Sequence, residues 1–235
     1  GGGAGRRPRF FAPAFDSMTE VIDHVLLAVR DLDAAAAWIR ERHGLTALPG
    51  GTHPGVGTAN MIVPLGDDYL ELIAIVDPLE AAASPLRQRL VAAPESGASL
   101  ATWAVRVIDI DAVKQRLNDA GVATEGPLPG SRRRPDGVLL DWRTVRVGNG
   151  SEPAIPFFIE WKAPAGDHPG AAEVEHPAGT VLLRGIRLAT PDHEAFADRL
   201  KVILDEGVDY QIEQGEKEEP ATVVLSVNGE ERDLP

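Results

Sequence analysis

Hydrophobic and polar positions along the chain fall into one phrase that returns three times. Ile22 to Val29 is a short apolar run that predicts a strand. Asp31-Leu32-Asp33 and an Ala-rich stretch follow, predicting a helix over Ala34–Arg42 with Asp33 as N-cap and Gly44 as its left-handed stop. The phrase recurs as a strand at Ala101–Val107 and a helix at Asp111–Ala120, then as a strand at Val181–Leu188 and a helix at Asp192–Leu204. After the first helix, Leu45–Leu48, Thr58–Pro64 and Tyr69–Val76 predict strands, with a Gly-rich loop before the second and a Gly66-Asp67-Asp68 turn before the third. After the second helix, Val122–Thr124, Val138–Val145 and Ile155–Trp161 do the same, around an insertion at Pro127–Asp136. Both units read β-α-β-β-β. The third has strands at Tyr210–Glu213 and Ala221–Val227 and an Asn228-Gly229 turn, leaving little chain for a last strand, so it is curtailed.

Repeated units of this kind favour sheets that pair side by side and curl. The expected architecture is α+β: paired βαβββ modules forming a cupped, partly open mixed β-barrel with helices outside, plus a curtailed third βαβ-type unit. The divisions are a first module at 19–76, a helical connector at 77–99, a second module at 100–163, a Pro/Gly-rich linker at 164–179 and an incomplete third module at 180–235. Residues 1–18, with Gly1-Gly2-Gly3 and Arg6-Arg7-Pro8-Arg9, read as a disordered N-terminal extension, with Met18 a candidate start.

Composition narrows the chemistry. A net charge of -13 argues against nucleic acid and anionic membrane as partners. No apolar run is long enough to span a bilayer, and the apolar stretch 10–15 is too short for a signal-peptide core, so a cytoplasmic location is expected. With no cysteine, thiolate metal sites and cysteine nucleophiles are excluded, and any metal must use His, Asp, Glu or water.

Candidate chemistry starts where polar groups interrupt apolar strands. His24 lies in the first strand. Glu71 is the one acid of Tyr69–Val76, and Glu160 sits in Pro156–Trp161. A carboxylate in such a strand is costly unless paired or metal-bound. The segment Gly50–Asn60 carries four glycines with His53, Thr58 and Asn60, which places His53 as an acid-base group and Asn60 as a substrate contact on a ligand wall. Arg132-Arg133-Arg134 is a basic loop suited to a carboxylate or phosphate, with Arg134 as the candidate contact.

On these residues, and on the Gly50–Asn60 segment followed by Tyr69-Leu70-Glu71-Leu72-Ile73, the chain resembles the glyoxalase-like domain family of the vicinal oxygen chelate superfamily. The resemblance implies a cup around one divalent metal ion (Zn, Mn, Fe, Ni or Mg), with ligands from first and last strands: His24, Glu71 and Glu160. The fourth position falls on Thr102, where His or Gln is usual, and Thr102 becomes a substrate contact. Glu71 or Glu160 would double as base. The implied function is a metal-dependent lyase or isomerase acting on a small carbonyl, enediol or carboxylate substrate. The alternatives are metal-free binding or sequestration of a small molecule, and a ring-cleaving dioxygenase. Edge strands of the third unit admit a homodimer.

Overall fold

The expected modules form because each strand buries one face under its own helix. The structure, a computed structural model, describes residues 20–234; the extension expected at 1–18 lies outside the described residues. The first module comprises β1 (Val21–Ala28), α1 (Leu32–His43), β2 (Leu48–His53), β3 (Thr58–Pro64) and β4 (Tyr69–Ile75). A connector carries α2 (Arg87–Val91). The second module comprises β5 (Ser99–Arg106), α3 (Ile110–Asp119), β6 (Thr124–Arg133), β7 (Leu139–Val147) and β8 (Phe157–Trp161). The last segment holds β9 (Val181–Thr190), α4 (His193–Ile203), β10 (Tyr210–Gln214), β11 (Glu219–Val227) and β12 (Glu230–Leu234).

The modules share one eight-stranded sheet in the order β2-β3-β4-β1-β5-β8-β7-β6, the two halves mirrored about the antiparallel β1–β5 seam. Within each module the first strand pairs parallel with the last, β1 with β4 and β5 with β8. Alternation along β1 sends Val25, Leu27 and Val29 toward α1, while His24 and Leu26 face the concave side. Trp103, Val105, Phe158, Ile110 and Leu117 build the matching layer under α3. The last segment is a separate four-stranded sheet, β10-β9-β11-β12, whose Ile186, Leu188, Phe196, Leu200 and Val223 join the same core. It is βαβ-type as expected, but β9 pairs with β10 and β11 and not with the final strand, so its strand order differs from that of the modules.

Three local readings change. The N-caps are Asp31 and Asp109, each accepting a backbone N–H from the first turn, so α1 starts earlier than an Asp33 cap implies. The Gly-rich loop is largely strand β2, and the expected insertion is largely strand β6, despite Pro127 and Pro129. These are the two edges of the sheet, where prolines and glycines are tolerated. They meet. Arg132 Nη1 donates to Gly50 O at 2.7 Å, and a Cβ on Gly51 (φ 151°) would stand 2.7 Å from Arg133 O. Glycine there lets the sheet curl until its edges touch.

The linker is ordered against the first module. Gly66 N donates to Gly170 O, and His176 joins Thr46 N to Pro64 O through its two ring nitrogens. Asp68, in the β3–β4 turn, is trapped under this strap. Burial, aided by Asp67 and opposed by Arg106, pushes its carboxyl up to about 7, and its Oδ1 has no partner among the described residues. No helix among the described residues is long and apolar enough to cross a membrane.

Two outcomes follow from this packing. Gly51→Val forces the edges apart and is expected to lower unfolding free energy in urea by about 1–3 kcal/mol. The raised Asp68 pKa means that the fold favours the protonated carboxyl. That contribution is fully present below the ordinary carboxylate range and is lost as pH rises through about 7. Asp68→Asn is therefore expected to lose about 1–3 kcal/mol less stability than the wild type between pH 4 and pH 8, read by denaturation at each pH.

Candidate functional site

The concave face of the curled sheet encloses a cavity of about 710 Å³, within the range of small-molecule sites. Its deepest polar feature begins with a bulge. Ile22 pairs with Val105 and His24 with Ala104, so Asp23 is the extra residue in β1. The bulge brings Asp23 and His24 side by side. Asp23 is fully buried. Its Oδ1 accepts His24 Nδ1–H at 2.6 Å, and its Oδ2 accepts His168 Nε2–H at 3.0 Å and Trp161 Nε1–H at 3.1 Å. His168 Nδ1 accepts Gly170 N–H at 3.1 Å, which fixes that ring as the Nε2–H tautomer. Arg106 Nη1 stands 3.6 Å from Asp23 Oδ2. Burial alone would raise Asp23, but the hydrogen bonds from His168 and His24 outweigh it and hold the carboxyl far below its usual range.

Because Asp23 takes Nδ1–H, His24 presents Nε2 to the cup. The ring stacks on Tyr69 with centroids 4.5 Å apart, and Phe157 meets it edge-on at 5.7 Å. Nε2 lies 3.4 Å from Glu71 Oε2. Asn60 Nδ2 donates to Glu71 Oε1 at 2.7 Å and lies 3.3 Å from His53 Nε2, while His53 Nδ1 meets Thr58 Oγ1 at 2.8 Å. Burial lowers the His53 pKa, which suits a neutral ring donating from Nδ1 and accepting at Nε2. Gly50 makes room for this chain: a Cβ there would fall 2.0 Å from Asn60 Oδ1. One continuous polar line thus runs from His168 through Asp23, His24, Glu71 and Asn60 to His53 and Thr58. Every cup-facing member comes from the first module.

The second module supplies mostly apolar wall. Phe157, Ile159, Trp161 and Trp142 line the cavity, and Trp142 and Trp161 pack at 5.2 Å. Thr102 opens onto the cup from β5, in register with Leu26. Glu160 does not join His24 and Glu71. It lies between two cup-facing residues of β8, so strand alternation turns it to the outer face. There its Oε2 accepts Arg143 Nε–H at 2.8 Å and forms an ion pair with Lys162 Nζ at 2.6 Å. Register explains the mismatch. Glu71 pairs with Leu26 of β1, and the equivalent partner of Ala104 on β5 is Phe157. The four ligand positions of a paired-module metal centre are therefore His24, Glu71, Thr102 and Phe157, of which only two are ligand-grade. Among the described residues no three His, Asp or Glu side chains stand close enough to hold an ion. The donor set does not fit the expected His24, Glu71 and Glu160 metal site.

Arg134 is likewise not at the cup. It pairs with Asp136 and, at 3.5 Å, with Asp167 on the surface. Arg132, two residues earlier, lines the cavity and is 4% exposed; burial lowers its pKa. Asp23, His168, Tyr69 and Trp161 were not singled out from sequence as site residues, and Arg132 was singled out only as part of the basic loop whose candidate contact was Arg134. Asp23 carried a usable signal, an acid inside an apolar strand, the same signal that marked Glu71.

The fold has a counterpart among solved structures. A hypothetical protein from Staphylococcus aureus shares the fold with a TM-score of 0.72 at 16% identity, over 88% of this chain and 90% of that one. A Streptomyces coelicolor methylmalonyl-CoA epimerase, in complex with 2-nitronate-propionyl-CoA, gives 0.47 at 21% identity, over 63% of this chain and 100% of that one. A methylmalonyl-CoA epimerase from Mycobacterium tuberculosis gives 0.43 at 25% identity, over 61% and 88%. No curated protein matches. A family model described as a glyoxalase-like domain matches residues 22–204. The chain thus belongs to the glyoxalase-like domain family.

Proposed function

We propose that the cup binds a small oxygenated molecule and that His24 and Glu71 exchange protons with it, in a reaction of isomerase or lyase type. One observation carries the reading: a histidine locked by a buried aspartate, its free Nε2 3.4 Å from a carboxylate oxygen at the cavity floor. The two atoms are close enough to reach neighbouring atoms of one bound molecule. Such a pair can take a proton from one substrate atom and return one to its neighbour. Glu71, aimed by Asn60, is the base toward an acidic C–H beside a carbonyl. His24, kept in orientation by Asp23, donates toward the oxygen on which charge develops. His53, neutral and coupled to Glu71 through Asn60, steadies that carboxylate. The aromatic wall excludes water from the transfer.

Superfamily members typically bind a divalent metal. The donors in this cup offer half of such a set, so the steps above rest on the chain's own side chains. A second reading is metal-free binding or sequestration. Thr102 and Phe157 favour it, since the second module then contributes surface and no chemistry.

Proton transfer is read directly. Incubation of the protein with a panel of 2-oxo acids and hydroxyketones in D₂O, followed by proton NMR, is expected to show catalysed loss of the signal from the hydrogen next to the carbonyl. Glu71→Gln and His24→Ala are each expected to slow that exchange by about 100-fold or more. Saturable binding of panel members with no exchange above the buffer rate would favour sequestration instead.

A further inference from the structure

Four cationic side chains border the cavity: Arg132, Arg143, Arg146 and Lys162. Three are neutralised by acids outside it. Arg143 pairs with Asp111 and Glu160, Arg146 with Glu125 and Lys162 with Glu160. Arg132 is different. It is the most deeply buried of the four, and no carboxylate lies within 4.0 Å of it among the described residues. Its one hydrogen bond among these residues runs from Nη1 to Gly50 O. Nε and Nη2 have no protein acceptor there, yet neither is a sealed, unsatisfied atom, so both keep contact with the open cavity.

A buried guanidinium with no carboxylate in direct contact, Glu71 acting on it only from a distance, is costly. The free Nε–Nη2 edge of the fork, with two parallel N–H groups in one plane, matches the two oxygens of a carboxylate. A protein of net charge -13 repels small anions at range, so an anionic ligand needs a local cation at the site itself.

We infer that Arg132 is the specificity-determining contact of the cup, that its free edge takes a carboxylate, and that the ligand is a small carboxylic acid with a flat apolar body. The acid end sits on Arg132 at the closed seam of the barrel. The body lies on Trp142, Trp161 and Phe157. The reacting carbon and oxygen face Glu71 and His24. This assignment rests on the proton-transfer reading for the last of these placements and stands apart from it for the first two.

The test uses benzoylformate, benzoylformamide and phenyl phosphate as probes, with binding measured by calorimetry on the full chain. Wild type is expected to bind benzoylformate at least about tenfold tighter than the amide or the phosphate ester. Arg132→Gln is expected to abolish that preference, with benzoylformamide still binding measurably as the report of a folded cup. Arg132→Lys, which keeps charge but loses the fork, is expected to retain only part of the preference, and it carries the test if the Gln variant does not fold. Equal binding of acid and amide by wild type, an undiminished preference in both variants, or tighter binding of phenyl phosphate would each overturn the assignment. Carboxylate preference that persists when no proton exchange is found leaves this inference standing and removes the acid-base reading. Exchange that persists without carboxylate preference does the reverse.

Discussion

The buried charge of Asp23 is the constraint around which the rest of the cup is arranged. A carboxylate with no solvent contact is tolerated only when its oxygens are filled by donors, and removing one donor leaves an uncompensated charge. The three donors are His24 beside it, Trp161 at the end of β8 and His168 in the strap, and the Arg106 guanidinium at the end of β5 adds its charge at 3.6 Å. Satisfying Asp23 therefore docks the second module on the first and folds the linker back across the bottom of the cup. It also sets the His24 tautomer. The chemistry at Nε2 is a by-product of a folding requirement met at Nδ1.

A second constraint acts at the other side of the cup. The sheet has two edges, and each end strand carries the residues that let them approach. Gly50 and Gly51 remove side chains that would strike Asn60 and the Arg133 carbonyl, and Arg132 spans the seam. The same glycines that admit Asn60 to the polar line also close the barrel, so cup shape and site geometry are coupled through β2.

The fold was largely legible, because its signals are periodic and local. Apolar alternation marked the strands, the Asp-led runs marked the helices, and the repeat marked the pairing of modules. The candidate cup wall was legible only where the first module builds it: His24 on β1, His53 on β2, Asn60 on β3 and Glu71 on β4 lie side by side. Glu160 failed because strand alternation is unforgiving. Matching by position near the end of a strand misses the register, and an odd displacement exchanges inside for outside. Arg132 and Arg134 have the same parity, and what separates them is the end of β6 at Arg133, beyond which the chain turns to the surface. Asp23 stood out as an acid in an apolar strand, but its place beside the His24 ring did not. A bulge suspends alternation for one residue, and nothing in the pattern of β1 announces it. His168 lay in a segment whose Pro/Gly composition describes a linker equally well when it is ordered.

The scaffold is nearly two-fold, but its contents are not. A cup made from two equivalent modules would offer a ligand two poses of equal energy, related by the pseudo-axis at the β1–β5 seam. With the His24, Glu71 and His53 groups in one half and indole and phenyl rings in the other, that degeneracy is lifted. On the proton-transfer reading proposed above, a flat ligand would present one prochiral face to His24 and Glu71 and the opposite face to the aromatic wall. The unequal halves would then bring stereochemical definition, because a proton delivered from the polar half would arrive from one side only.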